Sequence, residues 1–179
     1  MFDLGFYSVF IGKPVIKILG GKNLSRVKPN YFFLPLFVIL TASAASYFAE
    51  AGRAWYKTIN LPDWTPSGSI MVLAWTIIFI LTSLSLLIIW NRYPSEKNFR
   101  VIIVLFILNA FFIVGWNILF FSHQQLGLAF FQAVLLITNL ILLIFLIWRL
   151  SPLAAYLLIP YSLYVLFSTV LSLNVWLIN

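Results

Sequence analysis

The chain has 179 residues, of which 63% are hydrophobic, 18% aromatic and only 8% charged, with a net charge of +7. A soluble domain of this size could not clothe its surface with that balance, so the composition reads as a membrane protein. With no cysteine there are no disulfides and no thiolate metal sites, and the placement of the basic residues argues against nucleic acid as a partner.

Residues 1–30 form a basic N-terminal extension, with Phe, Tyr, Val and Ile interleaved with Lys13 and Lys17. It reads as an interfacial anchor or a targeting segment. Ala42-Ser43-Ala44 resembles a signal-peptidase site, but the basic region before it is long and the apolar stretch runs on to Ala49. From there the chain is one domain, residues 31–179. A bilayer core of about 30 Å needs about 20 helical residues, and the nearly charge-free windows give five spans, at 31–50, 68–91, 101–122, 126–148 and 153–177. Spans three and four are separated by Ser122-His123-Gln124-Gln125. Barrel strands would alternate polar and apolar positions; these runs are apolar almost throughout. The expected fold is all-α, an integral bundle of five transmembrane helices. Thr41-Ala42-Ser43-Ala44-Ala45-Ser46 in span one reads as a close-packing helix face. Pro94, Pro152 and Pro160 fall near helix starts, where proline is tolerated, and Pro35 lies early in span one.

Charge sets the expected topology. Lys13, Lys17, Lys22, Arg26, Lys28, Arg92, Lys97, Arg100 and Arg149 lie on one side of the spans, and only Arg53 and Lys57 on the other. Nine against two is a positive-inside bias. It places the N-terminus on the cytoplasm-equivalent side, with the first loop and the C-terminus opposite.

That first loop is crowded: Trp55-Tyr56-Lys57, then Leu61-Pro62-Asp63-Trp64-Thr65-Pro66. Proline fixes φ and removes a donor, and aromatic rings carry large contact area, so the loop reads as a stiff cover rather than a tether. Polar and aromatic residues inside the spans line up on helical faces. Trp75 and Thr82 lie on span two, Asn109, Trp116 and Asn117 on span three, Gln132 and Asn139 on span four, and Tyr161, Tyr164, Ser168 and Ser172 on span five. Two readings stay open: hydrogen bonds that hold the bundle together, or a shared cavity for an amphipathic, ring-shaped ligand. Catalysis has little apparatus. The single histidine, His123, lies at an expected exposed turn, and Asp3, Glu50, Asp63 and Glu96 form no buried carboxylate pair. Metal-ligand clusters are missing from the pattern.

The loop motif resembles the W-Y-x-x-L-x-x-P-x-W-x-P-P signature of the TspO/translocator-protein family. Trp75, Trp116 with Phe120-Phe121, and Pro160-Tyr161 with Phe167 extend the likeness over about residues 45–179. The resemblance implies a five-helix bundle, often a homodimer, that binds porphyrins such as protoporphyrin IX and other haem-type tetrapyrroles as ligands rather than cofactors. For some members it adds sterols, lipids and benzodiazepine-type drugs. It implies transport, sequestration or stress signalling, and as an alternative a light-dependent degradation of porphyrin with Trp75 as the reactive residue. By motif position, Tyr56, Trp64, Pro66, Trp75, Asn109, Trp116, Tyr161 and Tyr164 would line or cap the ligand site. The chain departs from the pattern at Ser67 (second proline), Tyr164 (tryptophan) and Ile113 (often asparagine). No Lys or Arg follows Tyr161 or Tyr164, so the sterol motif proposed for span five is missing there.

Overall fold

The computed structural model describes residues 28–179; the greater part of the basic extension, and with it the anchor or targeting reading, lies outside them. The described residues fold as helices α1 (Asn30–Ala51), α2 (Arg53–Tyr56), α3 (Gly68–Arg92), α4 (Phe99–Asn117), α5 (Leu126–Trp148), α6 (Pro152–Tyr156) and α7 (Ile159–Ile178). Among the described residues five segments are long and apolar enough to cross a membrane, with Phe99–Ser122 and Pro152–Ile178 each counted across a local break. There is no strand among the described residues.

Two spans carry local breaks that the expected bounds run straight through. The third does not end as a regular α-helix. It passes into a π-helical turn, Ile118–Ser122, closed by His123 N–H donating to Ile118 O at 2.9 Å and Gln125 N–H to Leu119 O at 2.8 Å. Gln124 takes a φ of 55° to make that closure, a left-handed conformation that costs a non-glycine residue about 1 kcal/mol. The fifth span, expected to be continuous over 153–177, is broken in two at Leu157–Leu158. Pro160, which has no N–H to donate, sits in the first turn of α7, and a proline there starts a new helix more readily than it continues an old one. Ser151 caps α6 by accepting from Ala154 N–H.

The helices close a ring in the order α3, α1, α4, α5, α7. The contacts are densest between α5 and its neighbours α4 and α7, and thinnest between α3 and α7. The inner faces of the ring form the main core: Leu86, Ile89, Ile102, Leu140, Leu143, Ile147, Leu158 and Val165 are buried in it. The outer faces stay apolar where water would forbid it, with Val104, Phe111, Leu163 and Leu177 exposed. That pattern fits hydrocarbon as the surrounding solvent. At one end, Asn30 Nδ2 donates to Asn91 Oδ1 at 2.7 Å and ties α1 to α3. Six residues further in along α3, Ser85 Oγ donates to Ala154 O at 2.9 Å and ties α3 to α6.

Candidate functional site

The polar-aromatic stripes of the four helices converge, but they do two different things at two depths. At the deeper level they bond to one another. Tyr161 Oη donates to Asn109 Oδ1 at 2.9 Å, Asn109 Nδ2 to Asn139 Oδ1 at 3.2 Å, and Asn139 Nδ2 to Leu105 O at 3.4 Å. All three side chains are buried. A chain of donors and acceptors so satisfied holds α4, α5 and α7 in register. Thr82 completes this level from α3, and its buried Oγ has no partner among the described residues.

Nearer the loop end the stripes stop bonding and line space. A cavity of about 1120 Å³ opens between α1, α3, α4 and α7. Its aromatic walls are Tyr56, Trp75, Phe79, Trp116, Phe120, Phe121, Tyr164 and Phe167. Trp116 and Phe120 stack at 4.8 Å with an interplanar angle of 19°. Trp75 lies edge-on to Tyr164 at 5.6 Å and to Tyr161 at 6.0 Å. Polar groups are few: Ser46, Ser69, Thr76, Asn117, Ser168 and Ser172. Asn117 spends its Nδ2 on Ile113 O at 2.9 Å, which leaves its Oδ1 as an acceptor for a ligand. An apolar cavity with a few placed polar groups is the usual form of a small-molecule site.

The π-helical turn puts two of the walls in place. It rotates Phe120 and Phe121 relative to a continuing α-helix and brings them under the loop; π-bulges are frequent at such sites. The turn is held from the other side by Gly52, where α1 meets α2. A Cβ at Gly52 would lie 2.5 Å from Phe121 O and 2.6 Å from Phe121 Cβ, so only glycine lets the two backbones approach this closely.

The loop lies over this end of the bundle. Trp55 and Tyr56 meet Phe120 at 5.7 and 6.1 Å, and Tyr56 meets Phe121 at 5.6 Å. Ile59 and Leu61 pack on the same second cluster, around Phe120, Ala129 and Val175. Trp64 reaches Phe167 edge-on at 5.5 Å. Partway along, the loop is clasped to the end of α7: Asn60 N–H donates to Asn179 Oδ1, and Asn179 Nδ2 donates to Asn60 O, both at 2.9 Å. Burial pushes the Tyr56 phenol above its ordinary value, because the charged form would lose water.

Of the residues singled out from the sequence, Tyr56, Trp75, Trp116 and Tyr164 line the cavity together. Trp64 touches it through Phe167 and is itself exposed. Pro66 lies in the loop outside the lining, and Asn109 and Tyr161 sit beneath the cavity in the bonded layer. Of the three departures from the family pattern, Tyr164 and Ile113 line the cavity, and Ser67 stands just before α3 with φ −60° and no side-chain capping bond to the helix. The sequence reading missed the α1 wall. Ala42, Ala45, Ser46 and Ala49 follow i, i+3, i+4, i+7 and face the cavity, so this small-residue face makes room as well as contact. It also missed Glu50, Arg53 and Lys57 at the rim. Among the described residues no group of His, Asp or Glu could hold a metal ion, and His123 is exposed in its turn.

Comparison with known proteins finds the TspO/MBR family profile matching residues 32–177. The chain is 38% identical to the tryptophan-rich protein TspO of Bacillus cereus, over 71% of this chain and 82% of that one. It is 33% identical to the uncharacterized membrane protein YtaB of Bacillus subtilis, over 79% and 92% respectively. It is 28% identical to the translocator protein of Ovis aries, over 73% and 78%.

Proposed function

The chain belongs to the TspO/MBR family, and from that premise we propose that this integral multi-pass membrane protein is a receptor or carrier for porphyrins such as protoporphyrin IX. The observation that carries the reading is the cavity of about 1120 Å³ walled by Tyr56, Trp75, Trp116 and Tyr164 beneath the aromatic loop. Flat conjugated rings gain most from such walls, because edge-on and offset aromatic contacts add about 0.5–1.5 kcal/mol each beyond the area they bury. A loop stiffened by Pro62 and Pro66 covers the site at low entropic cost. Sterols, lipids and benzodiazepine-type drugs are further ligands that the same apolar walls suit. The loop faces the side opposite the basic ends of the helices, and the protein works as a homodimer in transport, sequestration or stress signalling of tetrapyrroles.

The test is a titration of the detergent-solubilised protein with protoporphyrin IX in the dark, followed by tryptophan emission. Saturable quenching that weakens at least tenfold in Trp75→Ala and in Trp116→Ala supports the reading. Unsaturable quenching, or an affinity untouched by both substitutions, overturns it. Illumination of the saturated sample then separates holding from chemistry. Loss of the Soret band that stops in Trp75→Phe assigns degradation, and a stable band assigns binding.

A further inference from the structure

The cavity has a charged pole. Among the described residues that line it, only Glu50, Arg53 and Lys57 carry charge, and all three lie at the loop end, on the last turn of α1, on α2 and just after it. Everything deeper is aromatic, aliphatic or neutral and polar. Of the seven Lys and Arg among the described residues, the chain order of the spans leaves only two, Arg53 and Lys57, on this side of the bundle. The usual bias removes cations from such a side. Both of those that remain stand at the cavity rim.

Arg53 is partly engaged, with a guanidinium nitrogen 2.8 Å from a Glu50 carboxylate oxygen. Both side chains are about two-thirds exposed, at 66% and 63%, so the pair is weak and open to exchange. Lys57, one turn further, makes no ion pair among the described residues. The rim therefore offers a net positive charge, one cation ready and one held by a replaceable partner.

We propose that the ligand is an amphipathic anion that enters with its rings among Trp75, Trp116 and Phe120 and its carboxylate groups at the rim, on Lys57 and Arg53, displacing Glu50 from Arg53. The inference rests on the ring-binding reading above and adds to it the ligand's direction in the cavity and the residues that meet its carboxylates. It makes Lys57 and Arg53 determinants of selection between acidic and neutral forms of the same ring. It makes Glu50 an internal competitor for the same cation.

The experiment compares protoporphyrin IX with its dimethyl ester, which keeps the ring and loses both charges. Each is titrated in the dark against the wild type, the double variant Lys57→Gln/Arg53→Gln, and Glu50→Gln. For each ligand the ratio of variant to wild-type affinity is read, so that partition into detergent cancels. The double variant is expected to weaken the diacid about three- to tenfold, as befits two exposed charge contacts, and to shift the ester by less than twofold. Glu50→Gln is expected to strengthen the diacid and leave the ester alone. Rising salt should weaken the diacid in the wild type and not in the double variant. Saturable ester binding also reports that each variant is folded. Equal weakening of diacid and ester, or no weakening of either, overturns the proposal while the ring site stands. The first of these would mean that the cations anchor the loop or meet lipid headgroups. Failure of both ligands to bind the wild type overturns the ring-binding reading and this inference with it.

Discussion

Replacing Gly52 with alanine tests how the site is assembled. The added methyl would meet Phe121 O at 2.5 Å, Phe121 Cβ at 2.6 Å and Phe121 Cα at 2.8 Å. Ordinary contact begins near 3.4 Å, so the two segments must part by close to 1 Å. The atoms in the way belong to the backbone of the π-helical turn or to the root of a side chain, and none can swing aside. Overpacking of this kind costs about 1–3 kcal/mol. Gly52 has φ −92°, which alanine adopts freely, so restricting the unfolded chain returns about 0.4–1 kcal/mol. The expected net loss is about 1–2 kcal/mol, a fall in Tm of about 2–8 °C for a chain of this size, read by intrinsic fluorescence during heating in detergent. Because Phe120 and Phe121 move with the turn, porphyrin affinity should fall by about three- to tenfold at temperatures where the variant is still folded. Gly68→Ala is the control. Nothing lies within 4 Å of a Cβ there, so its Tm should hold or rise. A Gly52→Ala protein as stable as the wild type, with unchanged affinity, would refute the claim that this contact places the aromatic wall.

Tyr161→Phe removes the donor to Asn109 and should lower stability by about 0.6–1.7 kcal/mol. Porphyrin affinity should stay within twofold, because the hydroxyl lies below the cavity; a tenfold loss in the same titration would move Tyr161 into the site. Ser67→Pro should be tolerated or raise stability by about 0.4–1 kcal/mol. Residue 67 already has φ −60°, and only the exposed contact between Ser67 and Ser69 hydroxyls is lost; a fall in Tm would show that its N–H is needed. The Tyr56 phenol, raised by burial, should ionise only above the ordinary tyrosine range. A raised acid contributes stability that is complete below the unfolded pKa and is lost as pH rises through the folded one. Absorbance at about 295 nm, wild type minus Tyr56→Phe, should therefore stay flat to about pH 10 and rise above it. A step below that would place Tyr56 in water.

The spans were legible because charge marks their ends. Arg92, Arg100 and Arg149 flank runs that are otherwise apolar, and the membrane spans, counted across their internal breaks, begin and end within two residues of the expected bounds. The breaks were not legible. No side chain announces a π-helical turn, whose signature is a hydrogen bond displaced by one residue. The Leu157–Leu158 break is marked only by Pro160, and the apolar run that continues through it hid the interruption. Periodicity found the face on which Asn109 and Trp116 lie but not the depth. Seven residues separate them by about 10.5 Å along the axis, enough for one to bond beneath the cavity and the other to line it. Ala42, Ala45 and Ala49 show the same limit. A small residue permits either a close neighbour or an empty space, and only the surrounding helices decide which.

The size of the cavity itself constrains how the protein exists. A sealed void of about 1120 Å³, at about 24 cal/mol per Å³, would cost about 27 kcal/mol. That exceeds the whole stability of a typical domain, about 5–15 kcal/mol, so the space cannot be both closed and bare. The charged rim resolves this. Glu50, Arg53 and Lys57 keep the loop end wettable, while Trp75, Phe79 and Ile113 offer water deeper in the cavity no hydrogen bond beyond the Trp75 indole. Water held against such walls is poorly ordered and gains on release when an apolar ring takes its place. The role of the loop follows from this. Through Tyr56, Trp64 and the Asn60–Asn179 clasp it lies over a space the helices cannot fill themselves, the space from which the proposed ligand would draw its affinity.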